Sequence, residues 1–247
     1  MHYIVFDLEF NQDFPSMMLS DSHSAMNLFE IIQIGAVKLD MELALVSTFN
    51  RFVRPSVYAK INPIVTALTG IAAEQLNEEE TFPQVFQDFI AFIDEVDAIL
   101  CVWGLSDMKV LFRNVDFHEM NRALAPMRYI NLQANASKAL GFSSKWQPQL
   151  EKTIELLSIS KNSGFHDALH DAQYAAEIFR KIYHPGIKPA IYDPDRSGVR
   201  VRTKRQEIDF EALITQFEKM YGRPLTDEEQ DMIKLAYKMG RTRQFIK

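Results

Sequence analysis

Apolar positions near the start of the chain fall in three short runs. "YIVFDL" at 3–8, "IIQIGAVKL" at 31–39 and "STFNRFVR" at 47–54 are rich in Val, Ile and Phe. A short connection separates the last two, which predicts consecutive strands of a meander. In "TFPQVFQDFIAFIDE" the period changes: Val85, Phe86, Phe89, Ile90 and Ile93 recur at helical spacing, with Pro83 in the first turn, where its missing N–H is tolerated. "DAILCVWG" is a continuous apolar run suited to a buried strand. "SDMKVLFRN" reads as helix, "MRYINL" as another short strand, and two helical stretches follow. The fold class expected is α/β, a mixed five-stranded sheet flanked by helices. Residues 11–29 mix Ser, Asp and Asn without a period and read as a long loop inserted between the first two strands.

After residue 184 the texture changes. Pro185, Pro189 and Pro194 lead into "RSGVRVRTKR", which holds five basic residues and no acidic one. This predicts a basic linker over 185–206. Beyond it, Phe210, Leu213, Ile214 and Phe217 mark an amphipathic helix, and Thr226 with Glu229 makes a capping box before a second helix that Gly240 would end. The expected organisation is a domain over 1–184, the linker, and a helical C-terminal extension over 207–247. The apolar stripe of that extension must be covered by the core or by another chain, which leaves room for a protein partner or self-association.

Composition narrows the setting. Of 247 residues, 47% are hydrophobic and 24% charged, an ordinary globular balance. No apolar run approaches the roughly 20 residues needed to span a bilayer, and the N-terminus lacks the basic-then-apolar layout of a secretory signal. A cytoplasmic protein without membrane contact is expected. The single cysteine, Cys101, lies in an apolar segment, so packing is its expected role, and neither an intramolecular disulfide nor a cysteine metal cluster can form. A net charge of −6 argues against nonspecific binding of polyanions. It leaves open a metal-dependent nuclease, whose ligand carboxylates add to the negative count.

The chemistry begins in "IVFDLEFNQ". Residues two apart on a strand share a face, so Asp7 and Glu9 point the same way while Phe6 and Leu8 fill the other. A solvated edge would explain an arbitrary pair of this kind; at the end of a central strand, something positive is needed between them. Asp107 follows "VWGLS" at the start of a helix, and Asp171 stands near the start of "HDALHDAQYAAEIFRKIY", whose Leu169, Ala172, Ala176, Phe179 and Ile182 form an apolar stripe. Either aspartate alone could be a helix N-terminal acid favoured by the dipole. With Asp7 and Glu9 they make four oxygen ligands, a set suited to a pair of Mg²⁺ or Mn²⁺ ions. His166 lies five residues before Asp171, about 140° away on an ideal helix, so it belongs on the preceding loop, where an imidazole can take a proton from water. His170 is its competitor.

"FDLEF", "WGLSD" and "HDALHDA" resemble, in order and spacing, the three motifs of the DEDDh group of DnaQ-like 3′→5′ exonucleases, which have a ribonuclease-H-like fold. "EIIQIGAVKLD" resembles the second strand of that family, and "ALTGI" at 67–71 its nucleotide-contacting turn before the first helix. The resemblance covers residues 1–184 and implies that Asp7, Glu9, Asp107 and Asp171 hold two divalent ions. Asp7 and Asp171 would share the one beside the attacking water, and Asp7, with Glu9 and Asp107 nearby, would hold the other. His166 would be the general base. The implied substrate is the 3′ end of a single-stranded nucleic acid, with Phe10, Leu68, Thr69 and Trp103 as candidates to contact it. Phe10 and Asn11 stand where the family often has a threonine, and "WGLSD" is more similar to the branch that degrades RNA and oligonucleotides than to proofreading members. A proofreading subunit of a polymerase and a nuclease fold kept as a binding scaffold are the alternatives.

Overall fold

The computed structural model describes residues 1–12, 28–94, 97–143, 146–161, 163–196 and 210–241, with side chains to 234. Most of the insertion read from 11–29 and of the basic run in 185–206 lies outside these residues. Strand β1 (Tyr3–Asn11) is central, and its burial follows from apolar neighbours on both sides. It pairs antiparallel with β2 (Glu30–Leu39), which pairs antiparallel with β3 (Leu45–Phe52), so the predicted meander is present with β3 shifted two residues toward the N-terminus. On its other side β1 pairs parallel with β4 (Ile99–Val102), and β4 pairs parallel with β5 (Arg128–Asn131).

The expected sheet of five strands gains a sixth. Among the described residues the order is β3-β2-β1-β4-β5-β6, with β6 (Ala190–Ile191) antiparallel to β5. Two residues carry no readable period, and the prolines around them looked like a linker. The segment is nevertheless held by the core: the Tyr192 N–H donates to the Met127 carbonyl at 2.7 Å, and the buried Tyr192 ring stacks on Phe112. The chain accordingly separates into compact units at Met1–Gly198 and Val199–Lys247, later than residue 184.

Helices cover both faces of the sheet. The short α1 (Pro63–Thr69) and α2 (Ala73–Leu76) precede the first helix expected from the sequence, and "ALTGI" is the end of α1, closed by Gly70 in the left-handed conformation (φ 75°). Helix α3 (Phe82–Ile93) buries Phe82, Val85, Phe86, Phe89 and Ile93, and α4 (Ser106–Phe117) buries Met108 and Leu111 in the same layer as Ile4, Phe6 and Leu8. After β5 come three helices rather than two: α5 (Leu132–Ala139), α6 (Leu150–Leu156) and α7 (Ala168–Ile182). The stripe on α7 packs Ala172, Ala175, Ala176 and Phe179 against Tyr3 and Val5 on the opposite face of the sheet.

The second unit holds α8 (Phe210–Tyr221) and α9 (Asp227–Arg241). The predicted capping box is formed: the Thr226 N–H donates to Glu229 Oε2 at 2.9 Å, and the Glu229 N–H to Thr226 Oγ1 at 3.3 Å. Helix α9 continues through Gly240, one residue past the stop read from the sequence.

Candidate active site

Alternation along β1 sends Tyr3, Val5, Asp7, Glu9 and Asn11 to one face. Tyr3 and Val5 lie under α7, so where that packed layer runs out the same face continues with two carboxylates. At this point the ladder is irregular: Glu9 faces Gln33 and Phe10 faces Ile31, leaving Ile32 without a partner on β1. Such a bulge re-aims the side chains beside it.

Gln33 and Gly35 of β2, neither of which motif reading singled out, bring the third motif to the first. Gln33 is fully buried; its amide donates to Asp167 Oδ2 at 2.9 Å and to Asn50 Oδ1 at 3.0 Å, and its Oε1 accepts the Ala168 N–H at 3.2 Å. Asp167 is the N-cap of α7 and accepts the His170 N–H at 3.0 Å. Gly35, paired with Asp7, gives the start of α7 the space to lie against β2. The available signals were a polar residue and a glycine inside an apolar strand, both of which demand a reason.

His166 sits on the loop before α7, as its spacing predicted, exposed and with φ 65°. Left-handed backbone is rare for a residue with a Cβ and is held here by its surroundings. The His166 N–H donates to Asp171 Oδ2 at 3.1 Å, and the Tyr174 hydroxyl both donates to the Ser163 carbonyl (2.7 Å) and accepts its N–H (2.8 Å). One ligand atom from each of Glu9, His166 and Asp171 lies within 4.8 Å of the others. His170 is turned instead toward Asp167, with Nδ1 3.6 Å from Oδ1. Asp107 is buried in the first turn of α4.

The electrostatics unite all four acids. Desolvation holds Asp7 well above the ordinary carboxylate range, and Asp107, Asp171 and Glu9 raise it further. Burial, then the charges of Asp171 and Asp107, pushes Glu9 up to about 8. Burial pushes Asp107 up to about 7, with Asp171 adding to it against a backbone hydrogen bond. Burial also raises Asp171, although the His166 N–H and imidazole oppose it. Buried carboxylates that raise one another in this way are relieved by a cation among them. Asp171 Oδ1 is moreover buried with no hydrogen-bond partner among the described residues, an acceptor left for something other than the protein to satisfy. Hard divalent cations fit such an all-oxygen set.

The substrate candidates are spread more widely. Leu68 is 54% exposed on α1, and Thr69 Oγ1 donates to the Val65 carbonyl and accepts the Ile71 N–H, closing that helix. Phe10 is on the face opposite the carboxylates, half-buried and edge-on to Phe29 at 5.1 Å. Trp103 is half-buried and donates from Nε1 to the Pro148 carbonyl at 3.2 Å, which Gln133 also reaches at 2.9 Å.

The central strand of a mixed sheet thus ends in paired carboxylates, joined by an acid from each of two helices and a loop histidine. Residues 4–179 match the exonuclease family model RNase_T. The probable 3′-5′ exonuclease KapD of Bacillus subtilis is 30% identical over 177 residues, 69% of this chain and 82% of that protein. The 3′-5′ exoribonuclease 1 of Mus musculus is 24% identical over 188 residues, 72% of this chain but only 54% of the mouse protein. Among solved structures, the nuclease domain of 3′hExo, a DEDDh family member bound to rAMP, is similar with a TM-score of 0.64 at 20% identity, covering 78% of this chain and 96% of that one. E. coli Exonuclease I in complex with a dT13 oligonucleotide is similar with a TM-score of 0.56 at 14% identity, covering 73% and 40%. The chain belongs to the RNase_T exonuclease family, the DnaQ-like 3′→5′ exonucleases of the ribonuclease-H-like superfamily. It is a 3′→5′ exonuclease, a hydrolase acting on nucleic acid.

Proposed function

We propose that the chain removes nucleoside 5′-monophosphates from the free 3′ end of single-stranded RNA or DNA, with Asp7, Glu9, Asp107 and Asp171 as metal ligands and His166 as general base. The observation that carries this reading is the meeting of Glu9, His166 and Asp171 within 4.8 Å, in an acid cluster whose pKa values are raised by burial and, after it, by neighbouring acids. Two divalent cations, Mg²⁺ or Mn²⁺, held by the four carboxylates would neutralise the scissile phosphate and acidify the attacking water. The His166 imidazole takes the proton of that water, and its loop, pinned by the Asp171 and Tyr174 hydrogen bonds, fixes where the proton is received. Attack at phosphorus forms the new P–O bond, and the P–O bond to the 3′ oxygen of the preceding nucleotide breaks. Leu68 and Thr69 on α1, with Trp103, contact the terminal nucleotide; Phe10, the fourth candidate, packs on the other face of β1 against Phe29 and is left out of this reading.

The presence of all four acids and the histidine favours catalysis over a scaffold role. The names of the exoribonuclease relatives favour RNA as the better substrate. Cys101 is a buried free thiol, which suits a reducing, cytoplasmic setting, and no described helix is long and apolar enough to cross a membrane. On α8 and α9, Met220 (71% exposed), Tyr221 (64%) and Met232 (63%) favour a protein contact or self-association by the second unit. The test offers 5′-labelled single-stranded RNA, single-stranded DNA and duplexes side by side to the purified chain with Mg²⁺ or Mn²⁺. Stepwise shortening from the 3′ end, abolished by EDTA, is expected. Activity that survives chelation, or internal fragments released first, would overturn the assignment.

A further inference from the structure

Helix α1 is held in place without a single fully buried residue of its own. Its half-buried Val65 meets the small cluster of Ile32, Ile71 and Leu76, while Ile64 (59% exposed) and Leu68 face outward. A seven-residue helix with so little packing is not stable alone and takes its position from whatever anchors its ends.

Two buried polar side chains supply the anchor. Asn11, two residues beyond Glu9 on the same face of β1, is fully buried; its Nδ2 donates to the Lys60 carbonyl at 3.0 Å and its Oδ1 accepts the Asn62 N–H at 2.9 Å. Asn62 returns the contact by donating to the Gln12 carbonyl at 3.0 Å, and caps α1 by accepting the Ile64 N–H at 2.9 Å. Upstream, Glu30 at the start of β2 is 2% exposed, and its carboxylate accepts the N–H groups of Ser56 (2.5 Å), Val57 (2.8 Å) and Tyr58 (3.0 Å). Three successive backbone donors converging on one buried carboxylate fix that loop, and Asn11 fixes the next turn.

We infer that Asn11 and Glu30 are positioning residues for the exonuclease reaction: together they hang α1 beside the carboxylates and set how firmly the 3′ nucleotide is held, without touching it. The inference rests on the reading of α1 as the substrate side of the site. It also accounts for Asn11 standing at the end of the motif strand: an asparagine there can donate to one backbone group and accept from another.

The test compares the full chain with its Asn11→Ala, Glu30→Gln and Leu68→Ser variants, using a single-stranded oligonucleotide and bis(p-nitrophenyl) phosphate, a phosphodiester with neither base nor sugar to reach α1. Asn11→Ala is expected to raise KM for the oligonucleotide about tenfold with kcat within about twofold, and Glu30→Gln to raise KM in the same direction, the signature of lost binding rather than lost chemistry; a Glu30→Gln chain with unchanged KM would remove Glu30 from the inference. Turnover of the small diester stays within the same factor. Amide exchange over 56–70 quickens while that of β1 and α7 does not. Leu68→Ser, on an exposed position that cannot unfold the core, raises KM similarly, and the double variant with Asn11→Ala is no worse than the stronger single. If Asn11→Ala does not fold, Asn11→Asp carries the same test, since it keeps the acceptor for Asn62 and loses the donor for Lys60, and a smaller rise is expected. Faster exchange with unchanged KM overturns the inference, as does an equal loss on both substrates, which would mean that Asn11 acts on the carboxylates. A wild-type chain that hydrolyses the diester but does not shorten the oligonucleotide overturns the exonuclease reading instead, while the exchange data still judge the tether.

Discussion

Gly35 and Ala168 meet backbone to backbone: a Cβ added to Gly35 would lie 2.1 Å from the Ala168 carbonyl carbon and 2.4 Å from its oxygen. Gly35 is also the residue opposite Asp7. One glycine on β2 therefore sets how closely the helix that carries Asp171 approaches the sheet beside the strand that carries Asp7 and Glu9.

Gly35→Ala is expected to push the start of α7 off the sheet, because both clashing groups are backbone and neither can rotate away. Overpacking of this kind costs about 1–3 kcal/mol. Activity should fall further than stability does, by about 100-fold or more, since a displacement of the order of 1 Å is enough to misplace the reacting groups. Thermal melting and turnover measured on one preparation check both parts; a variant that melts lower yet keeps its turnover would show that the close approach serves folding alone.

His166→Ala is expected to cut turnover by about 10² to 10⁴-fold, the usual scale of a general base. Metal binding, followed by calorimetry, should be largely retained because the carboxylates remain. His170→Ala should do far less, since its Nδ1 faces Asp167 rather than the Glu9–Asp171 pair. The opposite ranking would remove His166 from the mechanism.

These contacts mark what the sequence could and could not disclose. The period-two face of β1 and the helical stripe of α7 were legible because burial enforces both patterns, and they placed Asp7, Glu9 and Asp171 on the elements where they are found. The loop position of His166 was legible from its spacing, five residues from Asp171 and so off the helical face, while its preference over His170 came from the family resemblance. Gln33 showed only as a polar residue in an apolar run: its partner Asp167 is 134 positions away, and nothing local names it. Helix α1 buries no residue and so leaves no periodic trace, and the two-residue β6 is too short to have one. Phe10 read as a possible stacking aromatic by type, but its place on the opposite face of β1, edge-on to Phe29, is a tertiary property that type does not encode.

The acid cluster makes metal-free stability depend on pH. Glu9 titrates near 8 and Asp107 near 7 when folded, and Asp7 and Asp171 are raised as well, whereas in the unfolded chain all four return to the ordinary carboxylate range. Between that range and about 8 the folded site holds protons that the unfolded chain has released, so this cluster's contribution to stability falls as pH rises through the window. The metal-free protein should therefore melt lower at pH 8.5 than at pH 6, and Mg²⁺ should raise the melting temperature more at pH 8.5. Asp7→Asn should flatten the metal-free dependence while abolishing turnover. A metal-free protein that grew more stable from pH 6 to 8.5 would contradict the upward shifts that burial and neighbouring charge give these acids.

A cut at residue 184 would remove β6 and the Tyr192 ring that stacks on Phe112, so the informative truncation ends at Gly198, the last residue of the first compact unit. It removes four of the five basic residues between Arg196 and Arg205, the densest positive run on a chain of net charge −6. Phosphate contacts by Lys and Arg release counterions, so their loss weakens binding and makes it less sensitive to salt. The truncated chain is expected to hydrolyse dinucleotides as the full chain does, to bind long single strands more weakly, and to show a shallower slope of log affinity against log salt. Fluorescence anisotropy with a long oligonucleotide at several salt concentrations, on protein shown by melting to be folded, measures all of this. Equal affinity and slope before and after truncation would remove the basic run from substrate binding and leave the second unit as a structural appendage only.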